Sequence, residues 1–290
     1  MAGIKSVSLR SVLSASSVAL VWFLSASSAA AQQRPLVTED PETIGAGRIL
    51  LEFGIDYERD AFFPLSGLRG NLFTVPPFGI SIGVSSIAEI QFDAGLYQKL
   101  YITEQTPAPL SSVLVLHDNQ AVSPDDLNIG AKIKFLNENA SRPAMAFRFS
   151  TRLPNASNES GLGKDVQDFQ STIVVGKTIQ SVRVVGNAGF EILGNPLEAA
   201  SQDDLLIFGL SVARAVNAKA EVVGEYTGRV NFADIVTPGA ENRGQLRFGA
   251  RYTQSGVRLD AAIMIGVTPR DPEFGITGGV TWVFNAFKVP

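Results

Sequence analysis

The sequence predicts an all-β protein, a transmembrane antiparallel up-and-down β-barrel of twelve strands that follows a cleaved signal peptide. Three observations predict it. Beyond residue 47 the chain is a succession of segments in which apolar and polar residues alternate, the period-two mark of strands with one apolar and one polar face. The connections between them alternate in length, as an outer-membrane barrel with tight periplasmic turns and longer outside loops requires. No apolar run of the mature chain reaches the ~20 residues of a spanning helix, so it can cross a membrane only as a closed sheet that satisfies its own backbone groups.

The first 31 residues read as the signal. Lys5 and Arg10 precede the apolar run Val12 to Leu24, and small residues at Ala29 and Ala31 precede Gln32, the order of a secretory peptide. Its removal takes two bases and no acids, leaving the mature chain at a net charge of −6. That acidic balance argues against a nucleic-acid partner, and the 45% hydrophobic content argues against disorder. With no Cys and only His117, disulfide frameworks, thiolate chemistry and multi-histidine metal sites are excluded. No cofactor is expected.

Residues 32–47 read as an N-terminal periplasmic segment, and the barrel as 48–284. In the first strand, from Arg48, Leu51, Phe53, Ile55 and Tyr57 share one face, opposite Glu52, Asp56 and Glu58. Pro76 and Pro77 confine the second strand to the residues after them, with Phe78, Ile80, Ile82 and Val84 on one face; the third carries Ile90, Phe92, Ala94 and Leu96. Leu127 to Phe135 and Met145 to Leu153 alternate most cleanly. The remaining strands are Phe169 to Ile179, Val182 to Ile192, Asp204 to Ala215, Lys219 to Val230, Gly244 to Thr253, Val257 to Val267 and Phe274 to Phe284. Val174, Leu205 and Ile207 are apolar on faces that should be polar. Residues 285–290 form a C-terminal tail.

The connections 60–71, 102–124, 154–167, 193–203, 230–243 and 268–273 are long or moderate, and 85–87, 137–143, 180–181, 215–218 and 254–256 are short. A chain starting in the periplasm therefore places the first group outside. On the apolar face the strong charges are Lys177 and Arg214, both at periplasmic strand ends where long side chains can snorkel; at mid-membrane each would cost roughly 2–4 kcal/mol. Tyr57, Phe190 and Tyr226 near the outside, and Phe135, Tyr252, Trp282 and Phe284 near the periplasm, form two aromatic girdles.

The inward face carries Glu52, Asp56, Glu58, Glu89, Asp93, Glu191, Glu221, Glu225 and Asp260, with Lys132, Lys134, Arg148, Arg152, Arg183, Arg229, Arg247, Arg251 and Arg258. Acids come mainly from the first, third and ninth strands and bases from the fourth, fifth and tenth, so facing walls set up a transverse field. Such charges either pair and brace a small barrel or select solutes. Twelve strands enclose a narrow lumen. Tyr97 and Lys99 continue the inward pattern beneath the loop 102–124, where an aromatic beside a cation suits a planar anion. That loop holds the apolar run Val113 to Leu116, which either folds inward as a constriction or projects as an extended hairpin. His117-Asp118 with Asp125-Asp126 sketches an outer-rim hydrolase, but one histidine in a polar loop is ordinarily a solvated residue, and no enzyme is expected.

Several segments resemble a known family in order: Arg34 to Thr43, Gly45 to Arg48, Leu51 to Arg59, Gly79 to Gly83, Ala88 to Gln91, Asp125 to Lys132 and Asp271 to Phe284. They look like bacterial outer-membrane barrels assigned to a MetA-pathway of phenol degradation or to transport. The resemblance spans nearly the whole mature chain, rests on strand and turn patterns, and brings no catalytic residue. It implies an outer-membrane protein that helps move aromatic or hydrophobic compounds. One departure is that Asn285 to Pro290 follows Phe284, displacing the terminal aromatic common in barrels. The expected role is passive or gated passage of small organic solutes, with outer-membrane lipid, the solute and the barrel-assembly machinery as partners. The alternative is a non-transporting structural or interaction barrel.

Overall fold

The computed structural model describes residues 34–198 and 200–288; the signal peptide read at 1–31 and the last two residues of the tail lie outside them. The described residues form fifteen strands in one antiparallel sheet: β1 (Arg48–Phe63), β2 (Leu68–Thr74), β3 (Pro77–Gly83), β4 (Ala88–Gly95), β5 (Gln98–Gln105), β6 (Gln120–Ser123), β7 (Leu127–Leu136), β8 (Ala144–Leu153), β9 (Asp168–Ile179), β10 (Val182–Gly194), β11 (Gln202–Ala215), β12 (Ala220–Asn231), β13 (Arg243–Gln254), β14 (Val257–Gly266) and β15 (Phe274–Asn285). The sheet closes on itself, because β15 pairs with β1 from Arg48↔Asn285 to Arg59↔Phe274. Around the ring, β1, β3, β4, β7 and then β8 to β15 make the expected twelve strands.

The other three strands continue β3, β4 and β7 outward. Each continuation is interrupted at one common level, near 75–76, 96–97 and 124–126. There the Val75 N–H donates to the Tyr97 carbonyl at 2.9 Å, Leu96 to Pro76 at 3.1 Å and Asp125 to Gly95 at 2.8 Å. Above that level β1, β2, β5 and β6 form a panel whose polarity is inverted. Ala61, Leu68, Leu72, Leu100 and Ala121 face inward as one buried apolar cluster, whereas Arg69 and Asn71 lie on the other face of β2. The connection expected over 60–71 is therefore mostly strand, closed by residues 64–67, and the one expected over 102–124 narrows to 106–119. Within it, Leu114 and Leu116 pack against the cluster while Val113 and Val115 stay exposed, so the apolar run lies along the panel with its leucines inward rather than projecting as a hairpin.

Below the panel the alternation is as expected. Outward residues such as Ile55 (59% exposed) and Phe190 (66%) form an apolar belt with no protein against it, while Glu52, Glu89, Lys132, Glu225 and Asp260 are buried inside. A closed sheet with apolar residues outside and charges inside suits a lipid surround. Lys177 reaches back to carbonyls of Asn139, Ala140 and Arg142 in the turn between β7 and β8, the snorkelling that its place at a strand end called for. The out-of-pattern apolar residues have local partners. Val174 packs with Ala146 and Val185, and Leu205 with Leu193 and with Ala240 of an outside loop.

Candidate functional site

The segment expected in the periplasm instead runs through the lumen. Residues 34–44 touch inward side chains around the ring, forming a strap across the barrel. At its C-terminal end the Ile44 N–H donates to Glu89 Oε2 at 2.7 Å, and Lys134 Nζ reaches Glu42 at 2.8 Å. Arg183 grips Asp40 with Nε and Nη2 at 2.6 and 2.7 Å. Glu39 meets Arg148 Nε at 2.9 Å and Lys132 Nζ at 3.2 Å. Lys132 is fully buried and also holds Glu89 at 3.0 Å and the Asp40 carbonyl at 2.8 Å. Farther along, Glu225 accepts from the Val37 and Thr38 backbone N–H groups. Arg34 lies near Asp56 at 3.5 Å and Asp260 at 3.6 Å, donates to Thr277, and offers its carbonyl to Arg251 at 2.8 Å.

The wall is cut to receive this strap. A Cβ built on Gly209 would stand 2.9 Å from Thr38 Oγ1, and one on Gly176 would stand 2.8 Å from Pro41 Cγ. Either is closer than real Cβ contacts come, so a larger residue would push the strap away. Arg34 is cationic while Glu39, Asp40 and Glu42 are anionic. The basic residues of β7, β8 and β10 meet the acids, and the acids of β1 and β14 meet Arg34.

The structure thus places most of the sequence-predicted lumen residues inside and assigns many of them to holding the strap: Asp56, Glu89, Lys132, Lys134, Arg148, Arg183, Glu225, Arg251 and Asp260. Others pair within the wall. Glu52 accepts from Thr281 at 3.1 Å, Glu191 lies 3.6 Å from Arg229, Glu221 lies within 4.0 Å of Arg251 and Arg258, and Arg247 lies 3.4 Å from Glu225. Arg152 pairs with Asp168 and Asp126 toward the outer end. Asp93 opens onto the cavity. Tyr97 and Lys99 do not face inward. The interruption after Gly95 shifts the alternation by one, so Tyr97 is exposed, and Lys99 pairs with Phe73 and Val122 on the outer face. Lys99 Nζ sits over the Tyr101 ring at 4.6 Å.

Above the strap lies a cavity of about 630 Å³, floored by Arg34 to Glu39 and walled by inward residues of nearly every barrel strand. His117 stands in a tight turn bridged to Gln120, and among the described residues it forms no ion pair with Asp125 or Asp126.

No family model and no curated protein matches the chain. Solved structures do match it in fold. A COG4313 outer membrane channel from Pseudomonas putida F1 superposes with a TM-score of 0.56 at 13% identity, over 84% of this chain and 98% of that one. The translocator domain of the autotransporter NalP from Neisseria meningitidis gives 0.51 at 12% identity, over 94% and 98%. The NanC porin gives 0.50 at 9% identity, over 80% and 98%. At these identities the likeness is one of fold, and that fold is the twelve-stranded outer-membrane β-barrel.

Proposed function

We propose that this protein is an outer-membrane channel through which small organic solutes with aromatic or other apolar bodies pass, and that the strap is its barrier. The observation that carries this reading is the cavity of about 630 Å³ inside a closed wall, floored by a segment held by side-chain contacts rather than by the strand ladder. A segment held in that way can leave without breaking the barrel. The fold shared with an outer membrane channel supports the reading, and so does the resemblance to barrels of a phenol-degradation pathway.

The test is single-channel conductance in a planar bilayer, comparing the mature chain with a variant lacking residues 32–44, each first shown to be a closed barrel by heat-modifiable migration. Small or rare steps from the mature chain and large steady steps from the variant are expected. Electrical silence from the folded variant would overturn the channel reading in favour of a structural barrel.

A further inference from the structure

Most lumen charges are matched by the strap or by one another, which leaves a small remainder facing the cavity. Among the described residues, Glu58 and Asp93 form no hydrogen bond or ion pair, yet both line the cavity. Each is bordered by a bare glycine. Glu58 faces Gly275 across the β1–β15 ladder. Asp93 faces Gly79, where an added Cβ would stand 2.9 Å from Asp93 Oδ1 and 3.3 Å from Glu52 Oε2. Asp93 stands on the rung of Glu52, six residues along β1 from Glu58, with Glu52 Oε2 close beside it, whereas Glu58 stands on the rung of Met264 and Arg247.

On the β13 side Arg243 is the counterpart. It stands directly opposite Arg229 in the β12–β13 ladder, a like-charge pairing that weakens a sheet unless something offsets it. Arg229 is occupied by the Gly239 and Glu241 carbonyls and by Glu191. Arg243 has one long hydrogen bond, 3.4 Å to the Phe62 carbonyl, and a buried Nε with no acceptor. Between the two sides, one rung of the wall runs Arg247, Met264, Gly275, Glu58. Met264 supplies an apolar surface there, and the exposed Val37 of the strap supplies another beneath it.

We propose that the cavity selects small organic zwitterions, with the ammonium group at Glu58, the carboxylate on Arg243, and the apolar body over Met264 and Val37. This rests on the cavity being the solute route, and it names the class of solute. Charges of both signs in fixed positions favour a molecule carrying both, and each single-charge analogue leaves one side unmatched.

The test is isothermal titration of the refolded, strap-bearing protein with 6-aminohexanoate, hexanoate and hexylammonium, each against a protein-free detergent blank. The zwitterion is expected to bind at least about ten-fold more tightly than either analogue. Glu58→Gln or Arg243→Gln should each remove that preference while heat-modifiable migration is retained, and Asp93→Asn should leave it in place. Equal affinities, a preference that survives Glu58→Gln or Arg243→Gln, or no binding by any probe would overturn the proposal. Because titration needs no current, its failure is separable from that of the channel reading: a strap-deleted barrel that conducts without discrimination sinks only the zwitterion, and a silent barrel that discriminates sinks only the route.

Discussion

Replacing Lys132 by Met should unlatch the strap. In the docked state Lys132 is fully buried among Glu39, Glu89 and the Asp40 carbonyl. The substitution leaves two carboxylates in a site built around a cation, and breaking a buried ion pair from one side costs about 3–5 kcal/mol. Arg148 still reaches Glu39 at 2.9 Å, and Glu89 keeps the Ile44 N–H and Gln91, so the lower half of that range applies. The cost falls on the docked state alone, because release of the strap lets water reach both carboxylates. It therefore subtracts from docking, by a factor of about 10² to 10³ in the docked-to-released ratio. Single-channel recording should show longer and larger openings than the parent, and limited proteolysis should cut within residues 34–44 faster, with heat-modifiable migration unchanged. Adding Glu89→Gln should recover part of the closed state. A Lys132→Met protein with parental conductance and parental protection of the strap would refute the assignment of Lys132 as its latch.

The same strap should yield to bulk as well as to charge. Gly209→Val introduces a side chain whose Cβ begins 2.9 Å from Thr38 Oγ1, and it should raise conductance without altering any ionisable group. On the lipid face, Leu210→Arg places a cation on the apolar belt in the interior of β11, and refolding titrations in liposomes should show a loss of about 2–4 kcal/mol, whereas Arg214→Ala at the periplasmic end should change little. Glu138 lies in the turn between β7 and β8. Burial raises its pKa, but the Thr178 N–H, Arg183 and Lys177 more than offset that and hold it below the ordinary 4.5. Its contribution to anchoring that turn is then present above the ordinary carboxylate pKa and lost as pH falls through the lowered one. The Thr178 amide resonance should report that acid transition, and Glu138→Gln should abolish it.

How far the sequence could be read depended on which surroundings each segment meets. Lipid outside and charge inside impose a strict alternation, so β7 to β15 lie within a residue or two of their expected bounds. The panel of β1, β2, β5 and β6 stands above the belt and packs its inner face on Leu114 and Leu116. There the apolar face turns inward, the pattern changes sign, and two stretches of strand read as loop. Tyr97 and Lys99 depart from expectation for a related reason, since one residue of slippage exchanges the faces of every later position in the strand. The strap has no periodicity to read. Its trace lay in composition: Glu39, Asp40 and Glu42 close together after Arg34, and glycines such as Gly176 and Gly209 at lumen positions where a barrel filled by its own side chains would carry larger residues.

The segregation of wall charges acquires a meaning once the strap is in place, and it yields a further expectation. Lys132, Lys134, Arg148 and Arg183 face the strap's acids, and Asp56 and Asp260 face its Arg34, so these wall charges act first on the protein's own chain. Taking the strap out removes one base and three acids from the lumen and leaves Lys132, Lys134, Arg148 and Arg183 without their strap carboxylates. In a narrow pore with low-dielectric walls, such a change in fixed charge governs which ions enter. Reversal potentials in a KCl gradient should accordingly show the variant lacking residues 32–44 shifted toward anions relative to the brief openings of the intact chain. A shift toward cations, or none, would mean that these four bases are neutralised within the wall itself, and that the strap fills the lumen without setting its charge.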